Sequence, residues 1–393
     1  MKIALFLNLA LKGTRSECRG ILDYARERGE WNVLMQEGRA QEQTLDLARL
    51  GVQGVIAECP EPADAAALAA LRVPVVLLEN PAPGPLPAGD PLAGAPCVRM
   101  DSRAVGALAA AHFLERGYTS FAYVDETLGK YWSAERRLGF EKAVRAAGHG
   151  CAFYGGRFTA RERRSWAAER TRMIRFLLGL PRPTAILAAM DGRARLVLEA
   201  CSAAGLRVPE DIAVLGVDDD PLLCEATEPP LSSIRTGGFR RGRLAAEMLD
   251  ALMRGNAPDA PDVSLPPVGV TERGSVGYDA SRDPALARAL AFLRDRAADG
   301  PVAVPDVVRA AGCSRRHLET RFRARLGTTV RDMAERIRLE RVKDLLERGT
   351  LPLGEIAQRC GFPGHSHLSI LFRRATGTTM REWRHKYRDM PDT

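Results

Sequence analysis

At 393 residues the chain is too long for one ordinary core, so two or three domains are expected. Its 46% hydrophobic content excludes a disordered polymer, and no stretch approaches the ~20 apolar residues of a membrane span. The net charge of +8 is unevenly placed: residues 282–393 hold 23 Lys and Arg against 14 Asp and Glu, leaving residues 1–281 at −1. A neutral body followed by a basic domain fits one part that senses and another that meets a polyanion.

The first residues, MKIALFLNLALKG, superficially resemble a signal peptide, but Asn8 interrupts the apolar run and Lys12 ends it. With no small-x-small cleavage site following, a buried first strand is the better reading, and the protein is expected in the cytoplasm. Further strands are predicted at GVIAEC (54–59), VPVVLLEN (73–80), FAYVDE (121–126), AILAAM (185–190) and IAVLGVD (212–218). Helical segments at 16–29, 102–117 and 134–148 lie between them, which implies parallel, doubly wound sheets. The eight cysteines are scattered without a CxxC pair, so reduced, buried thiols are expected.

Ligands of such sheets bind beyond the carboxyl ends of the strands. Several strand ends here are polar: Asn8, Glu79 and Asn80, Asp125 and Glu126, Asp191, and Asp218, Asp219 and Asp220. Singly, each is more often a helix cap or a solvated loop acid. Together, carboxylates that accept from vicinal hydroxyls and the flat face of Trp132 suggest a polyol site. No Walker loop, GxGxxG, HExxH or GxSxG supports an enzyme. His365-Ser366-His367 does not place two ligands on one helix face, so neither a metal nor another cofactor is expected.

Val263 to Arg273 is read as a last strand of the body, residues 276–284 as a linker, and Pro284 as the start of a helix running to Gly300. One pattern then occurs twice, near 304–326 and 353–375. Gly312 matches Gly361, and Leu318, Phe322, Gly327, Thr328, Thr329 and Arg331 match Leu368, Phe372, Gly377, Thr378, Thr379 and Arg381. Each copy has a short apolar helix, a Gly turn and a second helix rich in Arg or His, the means of entering a DNA major groove. Ser314 is a natural N-cap, and Thr329-x-x-Asp332 and Thr379-x-x-Glu382 are capping boxes.

With Leu318, Phe322 and Leu326 in the core, Arg315, Arg316, Glu319, Thr320 and Arg323 are left on the outer surface of the first motif. Arg316 could bond guanine and Glu319 cytosine, with Arg321 and Arg325 read as phosphate contacts or simply solvated charges. In the second motif His365, Ser366, Ser369 and Ile370 face outward, with Arg373 and Arg374 set for phosphates. Ile370 can offer only apolar contact, for example to a thymine methyl.

From Val98 onward, the segments VRMDSRAVGALAAAHFLERGYTSFAYV, ERRLGFEKAVRAAG and PTAILAAMDGRARLVLEACSAAGLRVPEDIAVLGVDDD resemble LacI/GalR-type sugar sensors, themselves similar to periplasmic sugar-binding proteins. That resemblance implies two lobes (about 1–126 with 237–258, and 127–236 with 259–275) and an effector between them. It carries effector contacts to Arg136, Asp191 and Asp218, with Met190 standing where many relatives have Asn. Residues 285–390 resemble the AraC/XylS-type DNA-binding domain through Ile356-Ala357-x-x-Cys360-Gly361-Phe362, Phe372-Arg373-Arg374 and Gly377-Thr378-Thr379, although Met380 replaces the usual Pro and Trp383 the usual Tyr or Phe.

A sensor ahead of such a reader, without N-terminal reading helices, resembles the bacterial xylose-operon regulator family. That implies an α/β two-lobed periplasmic-binding-protein-like sensor joined to an all-α double helix-turn-helix domain. Trp132, Glu135, Arg193 and Asp219, and more weakly Arg15, would join the sugar site. The expected function is sugar-responsive, sequence-specific transcription regulation, an activator with a pentose effector. The expected assembly is a homodimer on repeated half-sites of double-stranded DNA, with RNA polymerase as a partner. A repressor, a sensor of another sugar and a periplasmic receptor are the alternatives.

Overall fold

A computed structural model describes the chain except residues 37–45, 59–61, 80–85, 128, 156–165, 259, 278–282, 298–299, 327, 349–350 and 388–393. Asn80, Cys59, the middle of the linker and the last residues of the reader therefore lie outside the described residues.

The body is built on two six-stranded sheets. The first contains β1 (Lys2–Phe6), β2 (Asn32–Gln36), β3 (Gly54–Glu58), β4 (Val75–Glu79), β5 (Cys97–Met100) and β11 (Asp262–Leu265), in the order β11-β5-β4-β3-β1-β2. The second contains β6 (Phe121–Val124), β7 (Cys151–Tyr154), β8 (Thr184–Ala188), β9 (Ile212–Val217), β10 (Ser232–Arg235) and β12 (Gly269–Thr271), in the order β12-β10-β9-β8-β6-β7. All pairings are parallel except β10 with β12. The central runs IALF, VVLLE, TAILA and IAVLGV are buried on both faces, which is why they read as unbroken apolar stretches rather than alternating ones. The N-terminal apolar run is one of these strands, paired between β2 and β3.

Sheet membership moves the lobe boundaries away from the expected ones. The chain leaves the first sheet after Met100 rather than after residue 126, because β6 pairs with β7 and β8. It returns after Arg235 and leaves again after Leu265, so the single strand expected over 263–273 is two, one for each sheet. The passes lie side by side: Asp101 N donates to Leu265 O at 2.8 Å and Val268 N to Arg235 O at 2.9 Å. Asp101 is also the N-cap of the next helix, accepting from Ala104 N at 2.9 Å, so a change of lobe is hidden behind an ordinary helix start.

Each lobe has a pair of helices in unusually close contact. In the first, α1 (Lys12–Arg28) packs on the helix Gly238–Met253; in the second, Ser102–Leu114 packs on Tyr131–Ala146. In chain order the body helices are α1, α2 (Pro62–Ala70), α3 (Ser102–Leu114), α4 (Tyr131–Ala146), α5 (Trp166–Leu178), α6 (Asp191–Ala203), α7 (Pro221–Cys224) and α8 (Gly238–Met253). A Cβ on Gly20 of α1 would fall 2.0 Å from Phe239 O, and one on Gly242 of α8 1.9 Å from Glu17 O. The second lobe repeats this, with Gly106 2.1 Å from Arg136 O and Gly139 2.1 Å from Arg103 O. Only glycine lets the two backbones touch in this way.

The reader comprises α9 (Pro284–Ala297), α10 (Val304–Ala311), α11 (Arg315–Leu326), α12 (Val330–Arg348), α13 (Leu353–Arg359), α14 (His365–Thr376) and α15 (Met380–Tyr387). It has two small cores, one around Leu290, Val307, Leu318 and Phe322, the other around Leu346, Ile356, Leu368 and Phe372. The long α12 belongs to both, giving Val330 and Met333 to the first and Leu339 and Val342 to the second. The expected caps form: Ser314 Oγ accepts from His317 N at 3.3 Å, Thr329 Oγ1 from Asp332 N at 3.1 Å, and Thr379 and Glu382 exchange bonds at 2.8 and 3.2 Å.

The close crossing predicts that Gly242→Ala costs about 3 kcal/mol or more of stability, since overpacking here meets backbone rather than a mobile side chain. Gly192→Ala, on α6 with open space around it, should be neutral or stabilising by up to about 1 kcal/mol. Urea denaturation of both variants checks this; equal stability would remove the crossing from its central place.

Candidate functional site

The carboxyl ends of the first-lobe strands deliver Asn8, Glu58 and Glu79 to one place, with Thr14 and Glu17 from α1 and Arg241 from α8. Glu58 Oε2 accepts from Asn8 N at 3.2 Å and from Thr14 Oγ1 at 3.3 Å. Buried Arg241 contacts the Glu17 carboxylate and donates to Leu78 O at 3.2 Å. Burial pushes the Glu17 carboxyl up to about 8; Arg241 opposes this, while Glu58, Glu79 and Asp218 add to it.

The second lobe faces this cluster with Tyr131, Trp132 and Arg136 from α4 and with the turn Asp218–Asp220 beyond β9. Arg136 is buried, donates to Ala189 O, and has its guanidinium 4.9 Å from the centre of the Trp132 ring. Burial raises the Asp218 carboxyl, opposed by Arg136, Lys12 and Arg241, so cations of both lobes converge on it. Asp218 and Asp219 have φ values of 105° and 54°, a left-handed stretch that only strong anchoring maintains in non-glycine residues. The lobes already touch here. Arg15 bonds Asp220 at 3.1 Å, the Tyr131 hydroxyl bonds Glu79, and Gly13 would bring a Cβ to 3.7 Å from Asp218 Oδ1.

Of the eight expected sugar residues, Arg15, Trp132, Arg136 and Asp218 are thus brought together. The other four are turned to other partners. Asp191 is buried with Oδ1 accepting from Ser233 Oγ at 2.5 Å and Oδ2 from Asp220 N at 2.8 Å. Burial first, and then Asp218, holds its carboxyl well above the usual range. It braces the strained turn from behind. Asp219 is tied to Thr271 at 2.9 Å and Arg273 at 2.8 Å, beside β12. Glu135 is gripped by Arg103 of α3, and Arg193 donates to Asp125 O at 2.9 Å and to Glu169 at 2.5 Å.

Sequence reasoning missed Lys12, Glu17, Glu58, Tyr131 and Arg241. Glu58 carried the same signal as Glu79, a carboxylate closing an apolar strand, whereas Arg241 is hidden in a basic stretch. Carboxylates and guanidinium groups of both lobes, with an aromatic ring stacked on Arg136, suit a polyhydroxylated ligand. Among the described residues no His, Cys, Asp and Glu group could hold a metal.

On the reader, Arg315, Arg316, Thr320 and Arg323 of α11 are exposed, as are His365, Ser366, Ile370, Arg373 and Arg374 of α14. Ile370 stands 71% exposed. Two side chains expected outward are partly withdrawn: Glu319 is half-buried, with Oε2 enclosed, and Ser369 returns its hydroxyl to His365 O at 2.9 Å. Thr320 likewise bonds Arg316 O at 2.9 Å. Arg321, read as a phosphate contact or a solvated charge, instead bonds Asp283 at 2.6 Å, the residue whose Oδ1 also caps α9 through Leu286 N at 3.0 Å. The Arg325 side chain lies outside the described residues.

The raised Glu17 carboxyl gives a pH signature. Its protonated form is favoured by folding, so its contribution is complete below the ordinary carboxyl range near 4.5 and lost as pH rises through about 8. Glu17→Gln should therefore become progressively more stable than the unsubstituted protein from about pH 5 to 8, by up to about 1.4 kcal/mol per pH unit, and the difference should level off above that. Denaturation curves across this range test it; parallel curves would show that Glu17 is ionised throughout.

The family model for a periplasmic binding protein-like domain matches residues 110–276, and that for a helix-turn-helix domain matches 307–386. The xylose operon regulatory protein of Escherichia coli strain K12 is 31% identical over 389 residues, 98% of this chain and 96% of its own. That of Haemophilus influenzae is 27% identical, covering 98% of each chain. A solved xylose-binding transcription activator shares 30% identity at a TM-score of 0.62 over 98% of both chains. A transcription regulator of Lactococcus lactis, at 18% identity and a TM-score of 0.57 over 70% of this chain, shares the fold of the body. These relatives regulate transcription and are not enzymes, and among the described residues no helix is long and apolar enough to cross a membrane. A two-lobed cleft joined to a doubled helix-turn-helix, with identity running the length of both chains, makes this chain a member of the xylose operon regulatory protein family, sugar-responsive DNA-binding regulators of transcription.

Proposed function

We propose that the chain activates pentose-utilisation genes, with a xylose-like sugar as effector in the cleft. One observation carries this: Asp218 of the second lobe, beside Arg136, meets the charged cluster of Glu17 and Arg241 of the first, which Glu58 and Glu79 complete. A sugar bonded to both sides favours the closed arrangement of the lobes. It can do so only by its differential affinity for the closed and open states.

The protein acts as a homodimer, which the 75% exposure of Leu222, just beyond the strained turn, supports. Two double-headed readers then meet repeated half-sites, and activation brings the bound dimer to RNA polymerase. The exposed Arg315, Arg316 and Arg323 support base and phosphate contacts by the first head. The second, with Ile370 outermost, reads by apolar contact.

Calorimetry of the full chain against D-xylose, L-arabinose and D-glucose tests the sensing reading. D-xylose should bind, and Asp218→Asn and Arg136→Ala should each weaken it by about tenfold or more, since each leaves a buried polar partner unmatched. Binding of none of the three, with an unchanged DNA footprint, would overturn it. For the reader, Arg316→Ala should relax base preference at one position. Arg373→Ala should instead weaken all duplexes alike and reduce the salt slope by about one. Selection from a random duplex pool and titrations at several salt concentrations separate the two; identical profiles for both variants would refute the division of labour.

A further inference from the structure

The turn glycines of the repeated motif have the same backbone but different neighbours. Gly312 and Gly361 both lie at φ 66°. A Cβ on Gly312 would meet only the guanidinium of Arg288, at 3.4 Å, a side chain of the same head bonded to Ala311 O. A Cβ on Gly361 would lie 2.6 Å from Gly300 Cα, 2.6 Å from Pro301 Cδ and 2.9 Å from Pro301 N. Gly300 and Pro301 lead into α10, in the first head, whereas Gly361 is the turn of the second. The same turn is held from its other side by α12: Arg338 donates to Gly361 O at 3.2 Å and stacks 4.7 Å over the Phe362 ring.

A single connecting helix fixes the distance between two heads but leaves them free to swing as it bends. A backbone contact off its axis removes that freedom. We propose that the contact of Gly361 with Gly300 and Pro301 is a register clamp that fixes the separation and relative rotation of α11 and α14. The chain thereby selects the number of base pairs between the two segments it reads, a property that rests on both heads contacting one duplex. Adding one base pair displaces a segment by ~3.4 Å and turns it by about 34°, more than a close-packed contact absorbs.

The test uses the full chain, a duplex recovered by it from a random pool, and the same duplex with one base pair added or removed between the two protected segments. The unsubstituted protein should bind the altered duplexes about tenfold or more weakly. Gly361→Ala should shrink that penalty to within about threefold, whereas Gly312→Ala, with the same backbone strain, should keep it. Pro301→Gly takes the ring carbon out of the contact and frees the backbone φ at position 301, leaving Gly300 Cα and the amide nitrogen; it should shrink the penalty in the same direction as Gly361→Ala, which covers the case that the latter fails to fold. The clamp is wrong if the unsubstituted protein shows no spacing penalty, if Pro301→Gly leaves it intact, or if Gly312→Ala loses it equally. A footprint covering one segment only would instead refute the two-headed contact beneath the proposal.

Discussion

The body depends on backbone touching backbone at two helix crossings. Gly20 and Gly242 let α1 and α8 meet in the first lobe, and Gly106 and Gly139 do the same for α3 and α4 in the second. Each crossing sits within a turn of an arginine of the candidate site: Arg241 precedes Gly242, and Arg136 lies three residues before Gly139. Close approach thus fixes where the guanidinium groups stand. A wider crossing would leave the sheets intact and carry both cations out of reach of Asp218. Packing in these lobes is therefore also site geometry.

The cleft shows how a site can be rigid behind and adjustable in front. Behind it, Asp191 and Asp219 are engaged by Ser233, Asp220, Thr271 and Arg273, which hold a left-handed turn in place. In front, Arg15 and Tyr131 reach across to the opposite lobe through half-buried contacts. A ligand can substitute for such contacts, whereas replacing those behind would unfold the turn.

The sequence disclosed what local physics dictates and concealed what depends on direction. Buried parallel strands, caps and the doubled motif were legible because apolar runs, Ser314 and the capping boxes act over a few residues. Short mixed strands such as CVRM and SSIR were not, since their partners lie far along the chain. Neighbouring site candidates also diverged. On α4, Trp132 and Arg136 are four apart and share a face, but Glu135 is turned away towards Arg103. Asp218, Asp219 and Asp220 are consecutive, yet one faces the cleft, one β12 and one Arg15. A residue list finds the neighbourhood; backbone rotation decides who lives there.

Asp283 ends the linker, caps α9 and holds Arg321 on α11. The last residue before the reader is therefore fixed to two of its helices at once, the start of α9 and the side of α11. Shortening or lengthening the linker would accordingly change the angle at which α11 is presented, and not only how far the reader can reach.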